Sequence, residues 1–480
     1  MYKLILFLLI FIASPASAQP TPQADESFDS FKARYVAWYE TIAAEDRAWE
    51  EMETIDRQLD EQLAGLKLTA DPSDDDWNAS VAFVRGQGEL LDRIRGYSPR
   101  AYLGLPPEVL FDDESDGKLP RGIGLLLPNL GVIRAQTRLL MIDAILAGQD
   151  GDHDRVLADI RAVRGLQRFI PVANTALELL VDIAISSVVA ESILSDQIDL
   201  SDWSAQELEQ LSILFEIPNI QGIMSQAIAS EQWINRDMLE WFYVDAQHGK
   251  MTFLGAKRFL AVMRMLDSSD GDDEMSKEEK LKMLANARAL RTQVRPLQEQ
   301  RALADQLFKL AIANFSEPSY ELKSFQYVAL INEQLAQEDK PFEYAPVVLV
   351  IPDLSRVYRR VVQAQAVESA ATLLIALHRY HRKHGEFPAS IDELDRDLLA
   401  ADVPIDPHSG QPIRYMLVDG HPVIYSFGPD RDDDGGRRAV DAKNKPGLWP
   451  RFLTIDELEA LDEAERAAID GDWVLYPAVR

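Results

Sequence analysis

The chain contains no cysteine. It therefore has no disulfide, no thiol nucleophile, no thiolate-ligated zinc and no cysteine to carry a lipid. Positive charge is scarce. Forty-nine Lys and Arg face 79 Asp and Glu, for a formal charge of −30 over 480 residues. Such a surface repels nucleic acid and anionic lipid over a Debye length, which excludes nucleic-acid binding as the main role. Long apolar runs are also missing. The one at the N-terminus, Leu4 to Ile12, is shorter than the ~20 residues a helix needs to cross a bilayer.

Recognisable catalytic patterns are absent too. There is no H-E-x-x-H, no G-x-S-x-G and no P-loop. The pairs Gly86-x-Gly88 and Gly122-x-Gly124 lack the third glycine of a dinucleotide fingerprint. His384-Gly-Glu386 has the H-x-E form of zinc deaminases, whose cysteine ligands this chain does not possess. No reaction is legible.

What is present begins with Lys3, the apolar run and Ala16-Ser17-Ala18, an A-x-A site that predicts cleavage before Gln19. Residues 1–18 read as a signal peptide. The mature chain is expected in a periplasm or outside the cell, with no transmembrane segment after signal removal. Residues 19–70 read as a helical segment, with Phe28, Phe31, Tyr35, Trp38 and Ile42 on one core-facing stripe. Residues 71–129 read as an irregular connection broken by Pro99, Pro106, Pro107, Pro120 and Pro128. Residues 130–345 are helix after helix. Ser204-x-x-Glu207 and Ser276-x-x-Glu279 read as capping boxes. The fold class is therefore mainly α: a helical bundle or an irregular tetratricopeptide-like stack without a strict 34-residue period, followed by a small α+β module. The acidic loop Asp267 to Glu274 misses calcium-loop spacing, because Leu266 and Lys277 fall at its first and twelfth positions.

Val347 to Ile351 reads as a short strand. A helix then runs from about Leu354 to Gly385, basic in an acidic protein, with Glu368 as its one acid. Docking on acidic neighbours in the same chain is the simplest use of that charge. His378, His381 and His384 follow at steps of three, which turn the first and third rings about 120° apart. That spacing favours packing and helix capping over a shared metal. Ser390-x-x-Glu393 predicts a short helix to about Ala400, and Asp419-Gly420 predicts a hairpin.

The strongest motif follows: Asp430-Arg-Asp432-Asp-Asp434-Gly435 and, at position twelve, Asp441. Acids at positions 1, 3, 5 and 12 around a glycine at 6 match a hard-cation loop. They make Asp430, Asp432, Asp434 and Asp441 candidate calcium ligands. A solvated acidic turn is the alternative.

Tyr380, Gly385-x-Phe387-Pro388, Asp406-Pro407-x-x-Gly410-x-Pro412-x-x-Tyr415 and Tyr425-Ser426-x-Gly428-Pro429-Asp430 come in an order similar to the soluble domain of type II secretion major pseudopilins. That resemblance implies a helix on a small antiparallel sheet with calcium in the last loop, over residues 352–445. A tail, residues 446–480, is expected to pack on this module through Trp473 and Tyr476. The middle stretches LPNLGVIRAQTRLL and AIASEQWINRDML resemble exported, uncharacterised helical proteins of planctomycete-type bacteria. The combined expectation is an exported, non-catalytic binding or scaffolding protein with an unidentified protein partner. An envelope hydrolase with a carboxylate site in the helical region and a secretion-associated fibre subunit are the alternatives.

Overall fold

The structure is a computed structural model that describes residues 19–63, 65–111, 130–170, 174–215, 220–244, 249–267, 277–335, 342–399, 403–440 and 451–477. It is mainly helical, with one small antiparallel sheet near the C-terminus. Residues 1–18, expected to be a signal peptide, the acidic loop after Asp267 and the expected Ser276 cap lie outside the described residues.

Helix α1 (Phe28–Tyr39) opens on Ser27, whose side chain accepts from the Ser30 N–H. Its aromatic stripe is core. Phe28 stacks on Trp233 with centroids 5.9 Å apart, and the Trp233 indole donates to the Glu26 carbonyl at 2.9 Å. Helix α2 spans Trp49–Gln62. The segment expected to be irregular carries α3 (Trp77–Val84), α4 (Gly88–Tyr97) and α5 (Pro107–Leu110). The prolines do not oppose these helices. Pro99 lies past the end of α4, and Pro107 occupies the first turn of α5, where a missing N–H leaves nothing unsatisfied.

Helices α6 (Leu130–Gln149), α7 (His153–Gln167), α8 (Ala176–Leu194) and α9 (Ala205–Ile213) follow. Thr175 and Ser204 form reciprocal capping boxes with Glu178 and Glu207. Next come α10 (Ile220–Phe242), α11 (Phe253–Asp267), α12 (Lys277–Gln293), α13 (Leu297–Ser316) and α14 (Gln326–Leu335). The expected strand at Val347 is instead α15 (Ala345–Val350). Pro346 sits in its first turn, and Val347 and Val350 are buried at a spacing of three against α10 and α13. Burial on one helical face overrides the β preference of a valine run.

Helix α16 (Leu354–His384) is the spine. It packs on α8 and α9 along its length and carries the sheet beside it. Asp353 caps its start and Gly385, at φ +84°, its end. By length and apolarity the stretch Ala345–His384 passes for a membrane span, yet 89% of its most apolar window is buried inside the protein. Its basic residues dock within the chain. Arg359 pairs with Glu457 at 2.6 Å and Lys383 with Asp395 at 2.8 Å, while Arg379 donates to the Leu398 carbonyl at 2.6 Å.

Beyond Gly385 the expected helix is replaced by two 3₁₀ turns, Ile391–Glu393 and Arg396–Leu398. The Ser390 side chain makes no capping bond; the Glu393 carboxylate accepts from Ala389 N–H instead. Strands β1 (Arg414–Val418) and β2 (His421–Ser426) form the expected hairpin, with Asp419 and Gly420 both at positive φ. After α17 (Ile455–Glu459) and α18 (Glu463–Ile469), strand β3 (Trp473–Tyr476) adds antiparallel to β2, giving the order β1-β2-β3.

Candidate metal centre

The acidic loop leaves β2 through Gly428, at φ +75°, and turns again at Gly435 and Gly436, at φ +65° and +81°. It does not close on itself. It is laced to the segment that enters β3. Asp430 Oδ2 accepts the Gly471 N–H at 2.9 Å, and Asp472 Oδ2 accepts the Gly436 N–H at 2.7 Å. Asp472 N–H donates to the Arg437 carbonyl at 2.8 Å, and the Ala439 N–H donates to the Asp472 carbonyl at 3.1 Å.

This lacing gathers carboxylates. One oxygen each from Asp430, Asp434 and Asp470 lie within 4.8 Å of one another. Calcium binds oxygen at about 2.3–2.6 Å, so opposed ligands stand about 5 Å apart, and the spacing suits such an ion. Asp430 Oδ1, Asp434 Oδ2 and Asp472 Oδ1 are all buried atoms without a hydrogen-bond partner. Buried carboxylate oxygens left in this way are unfavourable unless a cation meets them. The strain shows in proton affinity. Burial, reinforced by Asp432 and Asp434, pushes Asp430 up to about 7 against the pull of the Gly471 N–H. Burial likewise raises Asp472 to about 6, the Gly436 N–H opposing and Asp433 and Asp434 adding to it.

Arg437 stands where a cation would compete. Its guanidinium reaches Asp434 at 2.5 Å and Asp470 at 3.0 Å. Asp433 is turned away into the sheet, accepting the Tyr425 hydroxyl at 3.1 Å and facing Arg414 at 3.3 Å.

Of the four residues expected from sequence, Asp430 and Asp434 converge. Asp432 is exposed and stands outside the cluster, and Asp441 lies outside the described residues. Asp470 and Asp472 were not anticipated. They stand some forty positions downstream, and only the pairing of β3 with β2 brings them in. The Asp-Gly-Asp run before an aromatic strand was their only signal.

On α16, His378 and His381 both pack on Phe387, while His384 turns to Asp395. His378 is half-buried, and burial lowers its pKa to about 4. His381 stacks on Phe387 at 4.6 Å, and His384 meets Asp395 at 2.9 Å. Among the described residues no metal-competent cluster includes a histidine. In the helical region Arg95 grips Asp143 and Asp159 together, the second at 2.7 Å. Asp159 is fully buried, and through Arg95 the two carboxylates brace α4, α6 and α7.

No family model, no curated protein and no solved structure matches the chain.

Proposed function

We propose that the chain is an exported binding or scaffolding protein whose C-terminal module holds a structural calcium ion. One observation carries the metal reading: the convergence of Asp430, Asp434 and Asp470 with unpartnered buried oxygens on Asp430, Asp434 and Asp472. A hard divalent cation would satisfy these oxygens and tie the loop to the entry of β3. The all-oxygen donor set favours calcium over zinc or copper. The placement of α16 against β2 and β3 supports the pseudopilin-like description of the module. Export rests on residues 1–18. The scaffolding role rests on the absence of a recognisable catalytic motif in the sequence and on the engagement of Asp143 and the buried Asp159 by Arg95.

The test is thermal unfolding of the mature protein with and without calcium, beside Asp430→Asn/Asp434→Asn. Calcium should raise the melting temperature of the wild type and leave the variant unmoved. A wild type indifferent to millimolar calcium would remove the metal from the reading.

A further inference from the structure

A cavity of about 520 Å³ lies between α6, α8, α16 and β3, within the range of about 300–1,000 Å³ typical of small-molecule sites. Its wall is apolar where these elements meet: Ile185 and Val188 from α8, Val367 from α16, Trp473 and Leu475 from β3. Its polar part carries three guanidinium groups beside the carboxylates of Asp71 and Glu191. Arg134 and Arg138 enter it from consecutive turns of α6, and Arg438 enters from the far end of the acidic loop.

Several guanidinium groups in this protein are matched with carboxylates, as at Arg95, Arg359 and Arg437, and others donate to backbone carbonyls, as at Arg379 and Arg431. Neither Arg134 nor Arg138 pairs with a carboxylate among the described residues. Both influences on Arg138, burial and the neighbouring Arg134 charge, act against its proton. Of the acids at the wall, Asp71 is held by the Ser73 N–H and hydroxyl; Glu191 also lines the cavity. The Arg438 guanidinium donates to the Pro477 carbonyl. Two adjacent cations with no carboxylate partner among the described residues, in a chain of charge −30, raise the local affinity for an anion. Guanidinium is the side chain best shaped to grip a carboxylate or phosphate bidentately.

We propose that this cavity binds an anionic amphiphile, a single apolar chain ending in a carboxylate or phosphate, with the head on Arg134 and Arg138 and the chain against Val188, Val367 and Trp473. The site is separate from the metal reading. Its ligand would touch Arg438 and β3 but none of Asp430, Asp434 or Asp470.

The probe is dodecanoate, titrated calorimetrically into the mature full-length protein at fixed salt. Dodecyl phosphate tells a phosphate head from a carboxylate head. Acetate and dodecyltrimethylammonium report the head alone and the chain with the opposite charge. Saturable one-to-one binding of either anionic amphiphile is expected, with acetate and the cationic amphiphile failing to bind. Arg134→Gln/Arg138→Gln should weaken it at least tenfold while the circular dichroism spectrum and melting temperature stay those of the wild type. Val188→Trp, which fills the apolar part, should weaken it without touching a charge. Absence of binding by both anionic probes would overturn the proposal. So would equal binding of dodecyltrimethylammonium, or unchanged affinity in both variants.

Discussion

The guanidinium of Arg164, on α7, donates to both oxygens of Glu368, on α16, at 3.2 and 3.3 Å across 204 residues of sequence. Glu368 is the one acid of a basic helix, and it is buried. Burial raises its pKa, and Arg164 pulls it back. Arg164 is held further by the Leu214 carbonyl at 2.9 Å and the Ser186 hydroxyl at 3.0 Å. The pair thus locks the spine helix to the middle of the bundle.

The two halves of this pair should respond unequally to mutation. Arg164→Met strands a buried carboxylate and should lose about 3–5 kcal/mol. Glu368→Gln leaves Arg164 its other acceptors and should lose about 1–2 kcal/mol. Urea unfolding of both variants measures the difference. Equal losses would mean that the other Arg164 contacts carry no weight.

Around the acidic loop, Arg437 should act as an antagonist of the ion. Arg437→Gln frees Asp434 and Asp470, so calcium should bind several-fold more tightly and raise the melting temperature further at a given concentration. Asp432→Asn should leave most of the calcium response in place, because Asp432 stands outside the cluster. A calcium titration that ranks Asp432→Asn with Asp434→Asn would return the ligand set to the consecutive loop alone.

Glu231 gives the bundle a pH dependence. Its carboxylate, on α10, accepts the Ala176 N–H at 2.8 Å at the start of α8. Burial raises it from 4.5 to about 7, with that N–H opposing. A raised carboxyl contributes stability that is full below pH 4.5 and is lost as pH rises through 7. The loss is on the order of 3 kcal/mol at its upper bound. Glu231→Gln keeps an acceptor for Ala176 without the charge. It should therefore be the more stable protein at pH 8 and lose that advantage at pH 5, in paired denaturation curves.

Asp406 organises the turn ahead of the hairpin. One oxygen accepts from His408 N–H at 3.1 Å and the Ser426 hydroxyl at 2.7 Å. The other accepts from the Ser409 hydroxyl at 2.8 Å and Phe427 N–H at 3.1 Å. Asp406→Ala leaves several buried donors unpaired and should destabilise the protein by about 3 kcal/mol or more. Amide exchange at Phe427 should accelerate with it. Unchanged exchange there would show that the turn stands without the carboxylate.

Local chemistry is what the sequence determined by itself. The aromatic stripe of α1, the cap at Ser204, the bounds of α16 at Leu354 and Gly385, and the hairpin at Asp419-Gly420 all follow from spacing, capping and backbone preference within a few residues. So does the nomination of Asp430 and Asp434. Tertiary structure decided the rest, because those outcomes depend on groups distant in the chain. Val347 and Val350 are helical because α10 and α13 bury one face. The tail becomes β3 because β2 has an edge to fill. Asp470 and Asp472 join the acidic loop only through that pairing, and Arg134 and Arg138 face a cavity only because four elements fail to close over them. Charge and hydrogen-bonding capacity are written residue by residue, but which groups are desolvated together is settled by packing, and desolvation is what turns a charged side chain into a site.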